Sequence, residues 1–366
     1  MTARPKIRLV VVAGARPNFM KIAPLVRELA ARGCFETCLV HTGQHYDAAM
    51  SDSFFRDLGI PEPDLNLGVG SGSHGAMTAQ VLAEMETVLT ERKPDALIVV
   101  GDVNSTVAAS LAAAKLCIPV AHVEAGLRSF DRTMPEEINR LVTDVISDWL
   151  FTSEPSGGEN LRREGTAEEK IHFVGNVMID TLQANLSRAR ELDTLGRLGL
   201  EAGGYAALTL HRPSNVDERE TLVALFDVLE EIQREIPIVF PVHPRTAAAI
   251  ERLLGGREPK LRMIEPLGYL DFLRLMSEAR FVLTDSGGIQ EETTVLGIPC
   301  LTMRENTERP ITIHEGTNTL VGSDPATIRA EVRKILDGEA PEGRIPEGWD
   351  GRAASRIVDV LERDLG

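Results

Sequence analysis

The sequence contains little of what builds disulfide frameworks, membrane spans or basic surfaces. Its four cysteines have neither zinc-site nor disulfide-framework spacing, so we expect free thiols. No run of residues approaches the roughly 18 apolar positions that a transmembrane helix needs. The 39 Lys and Arg face 55 Asp and Glu, a formal charge of −16, so counterion release has no basic surface to act on. We therefore expect neither a nucleic-acid nor a membrane partner, and an anionic ligand must be bound locally.

Length and composition are typical of a globular protein with more than one domain. At 366 residues the chain exceeds the usual scale of roughly 100–200 residues per domain, which favours two domains. Hydrophobic residues make up 43% and charged residues 26%, as in ordinary globular chains. The first apolar run ends at Gly14, too early for a signal peptide. We therefore expect a first strand there and a cytoplasmic protein.

Short β-branched runs alternate with amphipathic stretches through the first half of the chain. This alternation is typical of a parallel sheet with helices on both faces. The strands are predicted at 8–13, 37–42, 96–100, 120–124, 149–152 and 171–174. The helices between them are predicted at 21–32, 76–92, 105–116 and 135–146.

The same alternation starts again after Gly204 and predicts a second doubly wound domain. We expect the domains to span residues 1–175 and 176–350, followed by a last amphipathic helix at about 352–366. In open α/β sheets ligands bind beyond the carboxyl ends of the strands, so the site is expected in a cleft between the domains. The strands of the second domain are predicted at 206–209, 238–241, 262–264, 281–284 and 300–303, and its helices at 220–234, 245–254, 269–277 and 288–296.

A glycine turn follows the first predicted strand and opens a helix. Gly14 lets the backbone turn, the helix N-terminus offers free amides, and Arg16 and Lys21 add positive charge, a combination that suits a phosphate. The segment has neither the G-x-G-x-x-G dinucleotide fingerprint nor the G-x-x-x-x-G-K-[ST] loop, which disfavours a nicotinamide oxidoreductase. A plain strand-to-helix turn with a structural arginine is the alternative interpretation.

A second glycine turn, Asp285-Ser286-Gly287-Gly288, also follows a strand and opens a helix. Its bare backbone would let a pyrophosphate approach the helix N-terminus, and a carboxylate one turn further on can accept hydrogen bonds from a ribose diol. Taken alone, the turn is also an ordinary N-cap, and the carboxylate pair Glu291-Glu292 is also typical of a solvated helix face. The functional interpretation is the nucleotide end of a sugar nucleotide.

Three carboxylates and a histidine stand at predicted strand or helix ends. Asp102 follows one strand, Glu124 ends the next, and Glu136 opens the following helix. His211 follows the first strand of the second domain. Together these residues suit acid–base catalysis across both domains, whereas stabilisation of the helix dipole is the simpler explanation for Glu136 taken alone.

A helical wheel places the apolar residues of the helix at 135–146 on one side. This pattern predicts that the apolar stripe is buried and that Glu136, Arg140 and Thr143 lie on the opposite side, with Glu136 facing the cleft. The stripe consists of Ile138, Leu141, Val142, Val145, Ile146 and Trp149.

With these residues the chain resembles the non-hydrolysing UDP-N-acetylglucosamine 2-epimerases of bacteria and archaea. The resemblance extends over nearly the whole length in an ordered set of motifs. They are GARPNFMKIAPL at 14–25, TGQHYD at 42–47, GDVNST at 101–106, HVEAGLRSFDRTMPEEINR at 122–140, VGNVMIDT at 174–181, LHRPSN at 210–215, PVHPRT at 241–246, DSGGIQEE at 285–292 and RENTERP at 304–310.

The resemblance implies a glycosyltransferase-B architecture, in which two Rossmann-like domains close on a central cleft and the last helix crosses back to the first domain. It also implies inversion at C2 of a UDP-linked 2-acetamido sugar, which interconverts UDP-GlcNAc and UDP-ManNAc without a metal or NAD. Anti elimination of UDP gives 2-acetamidoglucal, and UDP adds back with the opposite C2 configuration. Asp102, Glu124 and Glu136 match the family's catalytic carboxylates, and His211 matches its catalytic histidine.

The resemblance further implies which residues bind the sugar nucleotide. Ser286 and the two glycines after it would meet the pyrophosphate, and Glu292 matches the ribose ligand. We also expect a homodimer. The full set of predicted binding residues is Arg16, Lys21, Arg140, His243, Ser286, Gly287, Gly288, Glu292 and Arg309.

Two stretches depart from the bacterial pattern that is tied to activation by a second UDP-GlcNAc. Gln44-His45-Tyr46 stands where many bacterial members have Gln-His-Arg, and residues 71–75 replace an Arg-Gln-Thr run. We therefore predict kinetics without such activation. In this respect the chain is similar to the archaeal-type branch, some of whose relatives act on UDP-2,3-diacetamido uronic acids.

Three functions of other kinds are the alternatives. A retaining glycosyltransferase shares the fold and the nucleotide end, but it needs an acceptor and no cluster of three acids. A hydrolysing 2-epimerase shares the first step and releases free N-acetylmannosamine. A binding module without catalysis gives no reason for acids at so many strand ends. Turnover of UDP-GlcNAc without an acceptor, and whether the product keeps its UDP, distinguish these functions.

Overall fold

The computed structural model describes residues 5–14, 16–43, 58–255, 257 and 259–366. The chain divides into two compact units, Met1–Ala184 with Glu347–Gly366 and Asn185–Pro346. The domain limits expected from the sequence, at 175 and 350, stay a prediction. Across the described residues we find no helix with the length and apolar character of a membrane span.

The first unit contains a parallel sheet of seven described strands. These strands are β1 (Ile7–Ala13), β2 (Phe35–His41), β3 (Leu65–Asn66), β4 (Ala96–Val100), β5 (Val120–Val123), β6 (Trp149–Thr152) and β7 (Ile171–Phe173). Their order is β3-β2-β1-β4-β5-β6-β7. Every residue of β4 is buried, as expected for a central strand covered by helices on both faces. The direction of winding reverses between β1 and β4, which makes the sheet doubly wound.

Helices connect these strands. They are α1 (Arg16–Arg32), α2 (His74–Arg92), α3 (Asn104–Lys115), α4 (Pro135–Ile146) and α5 (Pro155–Arg163), and α6 (Val177–Arg190) leads into the second unit. Local sequence sets their ends. The Ser73 hydroxyl accepts the Ala76 N–H at 3.3 Å and caps α2, whereas Pro135 occupies the first turn of α4, where its missing N–H costs nothing.

The second unit repeats this plan with a six-stranded parallel sheet in its described part. The strands are β8 (Ala206–Leu208), β9 (Ile238–Pro241), β10 (Arg262–Ile264), β11 (Phe281–Thr284), β12 (Cys300–Thr302) and β13 (Asn318–Leu320), in the order β10-β9-β8-β11-β12-β13. The helices are α7 (Thr194–Leu198), α8 (Pro213–Val216), α9 (Arg219–Ile232), α10 (Pro244–Leu254), α11 (Tyr269–Ser277), α12 (Gly287–Leu296), α13 (Pro310–His314) and α14 (Pro325–Leu336).

The last helix, α15 (Ala353–Leu365), belongs to the first unit and packs against α1. Its Ile357, Val358 and Leu361 side chains are fully buried. The Asp180 carboxylate on α6 accepts the N–H groups of Ala353 at 3.1 Å and Ala354 at 2.8 Å, and so caps the start of α15. Burial raises the pKa of Asp180 to about 6, although these two N–H donors act in the opposite direction.

The predicted α/β class with two parallel, doubly wound sheets is confirmed. Strands β4, β6, β9, β10 and β11 begin and end where the sequence pattern placed them. The edge strands β3 and β13 were not predicted: β3 has only two residues, and β13 (Asn-Thr-Leu) has a single apolar residue, so neither shows the alternation or apolar run that predicts a strand.

Candidate active site

Two neighbouring strands of the first unit end next to predicted catalytic carboxylates. Asp102 lies one residue beyond Gly101, which follows β4, and Glu124 directly follows β5. The two strands are parallel neighbours, and the Gly101 N–H donates to the Val123 carbonyl at 3.0 Å. Strand pairing therefore brings Asp102 and Glu124 to the same edge of the sheet.

The backbone is left-handed at both turns. Gly101 has a φ of +66° and Glu124 a φ of +73°. A Cβ atom on Gly101 would lie 3.1 Å from the ammonium nitrogen of Lys21, so a glycine leaves the space that this side chain occupies. A buried glutamate at positive φ is uncommon, and such strained residues cluster at functional sites. This conformation supports a functional role for Glu124.

Lys21 on α1 forms an ion pair with Glu124. Only 11% of the Lys21 side-chain surface and 6% of the Glu124 side-chain surface are exposed. Charges at such depth are costly unless they are paired, so each side chain holds the other in place. Lys21, predicted to contact the sugar nucleotide, thus also supplies the counter-charge of a predicted catalytic carboxylate.

Arg140 on α4 holds Asp102 in a similar way. Its guanidinium pairs with the Asp102 carboxylate and also donates to Glu137 Oε2, from Nε at 3.1 Å and from Nη2 at 2.6 Å. Glu137 in turn accepts the N–H groups of Ser129 and Phe130. Burial opposes ionisation of Glu137, yet the Ser129 N–H and Arg140 hold the pKa of this carboxyl below its usual range. Arg140 therefore joins the loop before α4 to Asp102.

The predicted orientation of α4 is wrong. Its polar side chains Glu137, Arg140, Thr143 and Asp144 are buried, whereas Val145 in the apolar stripe is 78% exposed. Ion pairs and hydrogen bonds satisfy Glu137, Arg140 and Asp144, which offsets the cost of their burial, whereas the Thr143 hydroxyl has no hydrogen-bond partner among the described residues. Among the other stripe residues, Ile138 and Val142 are exposed, and Leu141, Ile146 and Trp149 are partly buried. Glu136 is partly buried as well.

The first glycine turn has a structural requirement of its own. A Cβ atom on Gly14 would lie 2.7 Å from the Ser105 side chain, and the Gly14 N–H donates to Asn18 Oδ1 at 3.3 Å. Arg16 begins α1, and its side chain lies outside the described part of the chain. The departure at Gln44-His45-Tyr46 also lies outside the described residues, as does most of the TGQHYD motif.

In the second unit, His211 is paired with Asp285. The distance from His211 Nδ1 to Asp285 Oδ1 is 2.7 Å. Asp285 also accepts the Arg212 N–H at 2.9 Å and an Asn215 side-chain N–H at 3.2 Å. Burial opposes ionisation of Asp285, but the His211 side chain and the backbone N–H groups of Arg212 and His211 hold the pKa of its carboxyl below the usual range. The pair orients the imidazole of His211 and leaves its other ring nitrogen available for chemistry.

The glycine turn at the start of α12 follows Asp285 directly. Ser286 is the N-cap residue, and its N–H donates to Thr284 Oγ1 at 3.0 Å. A Cβ atom on Gly287 would lie 3.0 Å from Glu308 Oε1. Despite its burial, ion pairing with Arg304 holds the pKa of Glu308 far below its usual range. Gly287 and Gly288 leave bare backbone at the N-terminus of α12, and this geometry suits a phosphate.

Further along α12, two adjacent glutamates have buried partners. Tyr269 donates its hydroxyl hydrogen bond to Glu292 Oε1 at 3.0 Å, and Glu291 pairs with Arg309 at 2.7 Å. Burial raises the pKa of Glu292 to about 8, and the charge of Glu291 adds to the effect. The interpretation of this pair as a solvated helix face is therefore wrong.

Of the other predicted binding residues, His243 is exposed and immediately precedes α10. No cluster of three or more His, Cys, Asp or Glu side chains arranged to hold a metal ion occurs among the described residues.

The sequence did not predict the ion-pair and hydrogen-bond partners of several predicted site residues. Asp285, Glu137 and Tyr269 are the direct partners of His211, Arg140 and Glu292, respectively. Asp285 carried a usable signal, because it is a polar residue directly after a buried strand and inside the DSGG motif. Tyr269 gave no such signal, since it is the first residue of a different helix.

Comparison with known proteins fits this geometry. The family model described as UDP-N-acetylglucosamine 2-epimerase matches residues 27–362. The chain belongs to this family. The UDP-N-acetylglucosamine 2-epimerase of Methanococcus maripaludis is 42% identical over 363 residues, which cover 97% of this chain and 98% of that one.

Two further members of the 2-epimerase family bear on substrate and fold. The UDP-2,3-diacetamido-2,3-dideoxy-D-glucuronate 2-epimerase of Pseudomonas aeruginosa is 41% identical over 362 residues, 98% of this chain and all of the relative. The crystal structure of the Methanocaldococcus jannaschii UDP-GlcNAc 2-epimerase, in complex with UDP-GlcNAc and UDP, matches with a TM-score of 0.89 and 41% identity. That match covers 98% of this chain and 100% of the neighbour.

Proposed function

We propose that the protein is a UDP-N-acetylglucosamine 2-epimerase that interconverts UDP-GlcNAc and UDP-ManNAc. The observation that carries the proposal is the pair of carboxylates at adjoining strand ends, Asp102 and Glu124, each with its own buried cation. Two acids at one edge are what removal and return of a proton at C2 require. Membership of the 2-epimerase family supports the same reaction.

The second unit is proposed to bind the UDP moiety. The backbone N–H groups of Gly287 and Gly288 and the Ser286 hydroxyl would hold the pyrophosphate, because the N-terminus of α12 favours negative charge. Glu292 would accept hydrogen bonds from the ribose hydroxyls. Arg309, which pairs with Glu291, would complete this subsite. Arg16 and His243 are proposed to contribute further contacts with the nucleotide sugar.

The first unit is proposed to carry out the chemistry on the sugar. A carboxylate removes the C2 proton, the C1–O bond breaks, and its electron pair leaves with UDP, which creates the C1–C2 double bond of 2-acetamidoglucal. A proton then returns to the other face of C2, and a phosphate oxygen of UDP bonds to C1. Asp102, Glu124 and Glu136 are the proposed proton carriers, and His211 would stabilise or protonate the departing pyrophosphate.

The test is incubation of the purified protein with UDP-GlcNAc alone, followed by NMR of the products. We expect UDP-ManNAc with its UDP still attached. Free N-acetylmannosamine with UDP would show a hydrolysing enzyme, and turnover that begins only when an acceptor is added would show a transferase. A parallel assay with the UDP-2,3-diacetamido uronic acid measures the preference for the sugar.

We also propose that the protein is a homodimer that uses the apolar face of α4, defined by Ile138, Val142 and Val145. Val145 is 78% exposed, and exposed apolar faces of this kind mark association surfaces. Light scattering should give twice the chain mass for the wild type and the chain mass for Val145→Asp. Ile345→Asp is the control, because Ile345 is also exposed but lies outside α4. A wild-type monomer would refute the proposal.

A cytoplasmic location is proposed on the state of the cysteines. Cys34, Cys38, Cys117 and Cys300 are all free, which fits a reducing compartment. Fractionation of cells that produce the protein would test the location.

A further inference from the structure

A buried histidine, His122, was not among the predicted catalytic residues but contacts the segments that carry them. His122 lies in β5 with no exposed side-chain surface. Its Nδ1 is 2.7 Å from Asp144 Oδ1, and its Nε2 is 2.9 Å from the Gly101 carbonyl oxygen. Both ring nitrogens therefore face oxygen atoms.

These two partners determine the form of the ring. A backbone carbonyl can only accept a hydrogen bond, so Nε2 must donate to it. Asp144 also acts as an acceptor, because its other oxygen already receives the Gly126 N–H at 3.1 Å and pairs with Arg128 at 2.7 Å. Nδ1 must therefore donate as well. An imidazole that donates from both nitrogens carries a positive charge.

The charges around His122 balance in this form. Asp144 has two cationic neighbours, the His122 ring and Arg128, and Arg128 pairs in turn with Glu164 at 2.6 Å. Two cations and two anions then make up the cluster, as buried charges require. Despite its burial, His122 and Arg128 hold the pKa of the Asp144 carboxyl below its usual range. Three further charged groups lie on or directly after the same segments: Glu124 follows β5, Arg140 is on α4 and Asp102 follows Gly101.

The position of His122 joins the three segments that carry the predicted carboxylates. Its Nε2 binds the residue before Asp102, and its own strand continues into Glu124 two residues later. Its Nδ1 binds Asp144 on α4, the helix that begins with Glu136 in its first turn. The Gly101 N–H donates to the Val123 carbonyl, and the Gly101 carbonyl accepts from His122, so both backbone polar groups of Gly101 are fixed.

We propose that His122, which donates a hydrogen bond from each ring nitrogen, is a positioning residue that sets the geometry of Asp102 and Glu124 for proton transfer. It acts through Gly101 and Asp144 and does not touch the substrate. This role rests on the proposed epimerase function. We expect the effect in kcat, because His122 lies in the segments that carry the carboxylates and in neither of the two glycine turns proposed to bind UDP.

The first test measures the ring itself. Protein labelled with ¹⁵N-histidine is observed by long-range ¹H–¹⁵N NMR at about pH 7.5, above the ordinary histidine pKa of about 6.5. The His122 resonances are assigned from their loss in His122→Phe. We expect the two nitrogens to show the nearly equal shifts of an imidazolium. Widely separated shifts, as in a neutral tautomer, would overturn the proposal, and this outcome does not depend on whether the protein is an epimerase.

The second test separates positioning from simple stability. We expect His122→Phe to lower kcat for UDP-GlcNAc about 10²-fold, the usual cost of misplaced catalytic groups, with unchanged UDP affinity by calorimetry. His172→Phe is the matched control, because His172 is a partly buried histidine on β7 whose ring lies tilted against Phe151 and whose Nε2 has no hydrogen-bond partner among the described residues. It should keep the wild-type kcat.

Several outcomes overturn the proposal. A His122→Phe enzyme with the kcat of the His172→Phe control would show that His122 only supports the fold. If His122→Phe does not fold, His122→Gln takes its place, and its kcat is compared with that of the control in the same way. The glutamine side chain is of similar length and can donate at most one of the two hydrogen bonds that His122 makes to Asp144 and to the Gly101 carbonyl. An inactive wild type that still binds UDP would refute the epimerase function, and with it the positioning role of His122, whatever the NMR shows.

Discussion

His211 and Asp285 form a hydrogen-bonded pair in which the histidine is exposed and its partner is not. The Nδ1 to Oδ1 distance is 2.7 Å, with 54% of the His211 side-chain surface exposed and none of that of Asp285. Asp285 also accepts the backbone N–H of His211 at 3.0 Å. A carboxylate with this many donors fixes both the position and the tautomer of the ring, so Nε2 of His211 is the nitrogen available to a substrate.

Replacing Asp285 with asparagine should therefore impair His211 without removing it. The amide can accept one bond but does not stabilise a charged imidazole, and we expect kcat to fall by a general acid–base factor of about 10²–10⁴. Steady-state kinetics at saturating UDP-GlcNAc measure this. Asp227→Asn is the control, since Asp227 pairs with Arg257 at an exposed position. Wild-type kcat in Asp285→Asn would show that the pair is structural.

UDP affinity should depend on the two glycine turns. Arg16→Ala and Ser286→Ala each remove a donor proposed for phosphate, and we expect each to weaken UDP binding by about 1–3 kcal/mol. Isothermal titration calorimetry gives both values. If both variants bind UDP as tightly as the wild type does, the phosphates are held elsewhere.

The pKa of Glu292 predicts the pH dependence of binding. The Glu292 carboxyl has a pKa of about 8, so it is protonated at lower pH. The proposed contact with the ribose needs the ionised form. Binding must then release a proton at lower pH, so UDP affinity should rise as the pH increases through about 8 and level off above it. Glu292→Gln should remove this dependence. Calorimetry across that range tests it, and affinity that is flat or falls in the wild type would contradict the ribose role.

The raised pKa of Asp180 predicts that the stability of the fold decreases as the pH rises. Its pKa is 3.8 ordinarily and about 6 in the folded chain, so the folded state binds this proton more tightly. The resulting stabilisation is fully present below pH 3.8 and is lost as the pH rises through about 6. The wild type should therefore lose on the order of 1–3 kcal/mol relative to Asp180→Asn across this interval. Urea unfolding of both proteins at several pH values measures the difference, and parallel curves would refute the assignment.

The sequence predicted which polar residues lie at the ends of strands, but it did not predict their ion-pair partners. Strand positions follow from local alternation, so the sequence alone places Asp102 and Glu124 at strand ends. It does not place their cations, because Arg140 is 38 residues from Asp102 in the chain and meets it only through packing of α4. Helical periodicity separated the two faces of α4 correctly. It assigned burial to the wrong one, since it does not show which face has partners.

Carboxylates of the first unit are proposed to exchange the proton at C2. The most direct measurement is turnover of UDP-GlcNAc in D₂O by the wild type, with Glu124→Gln and Glu136→Gln beside it, read by NMR of the product. We predict deuterium at C2 of the wild-type product, and rates about 10²–10⁴-fold lower in both variants with little change in UDP affinity. Product without deuterium at C2, or near wild-type turnover in both variants, would show that these carboxylates do not exchange the C2 proton.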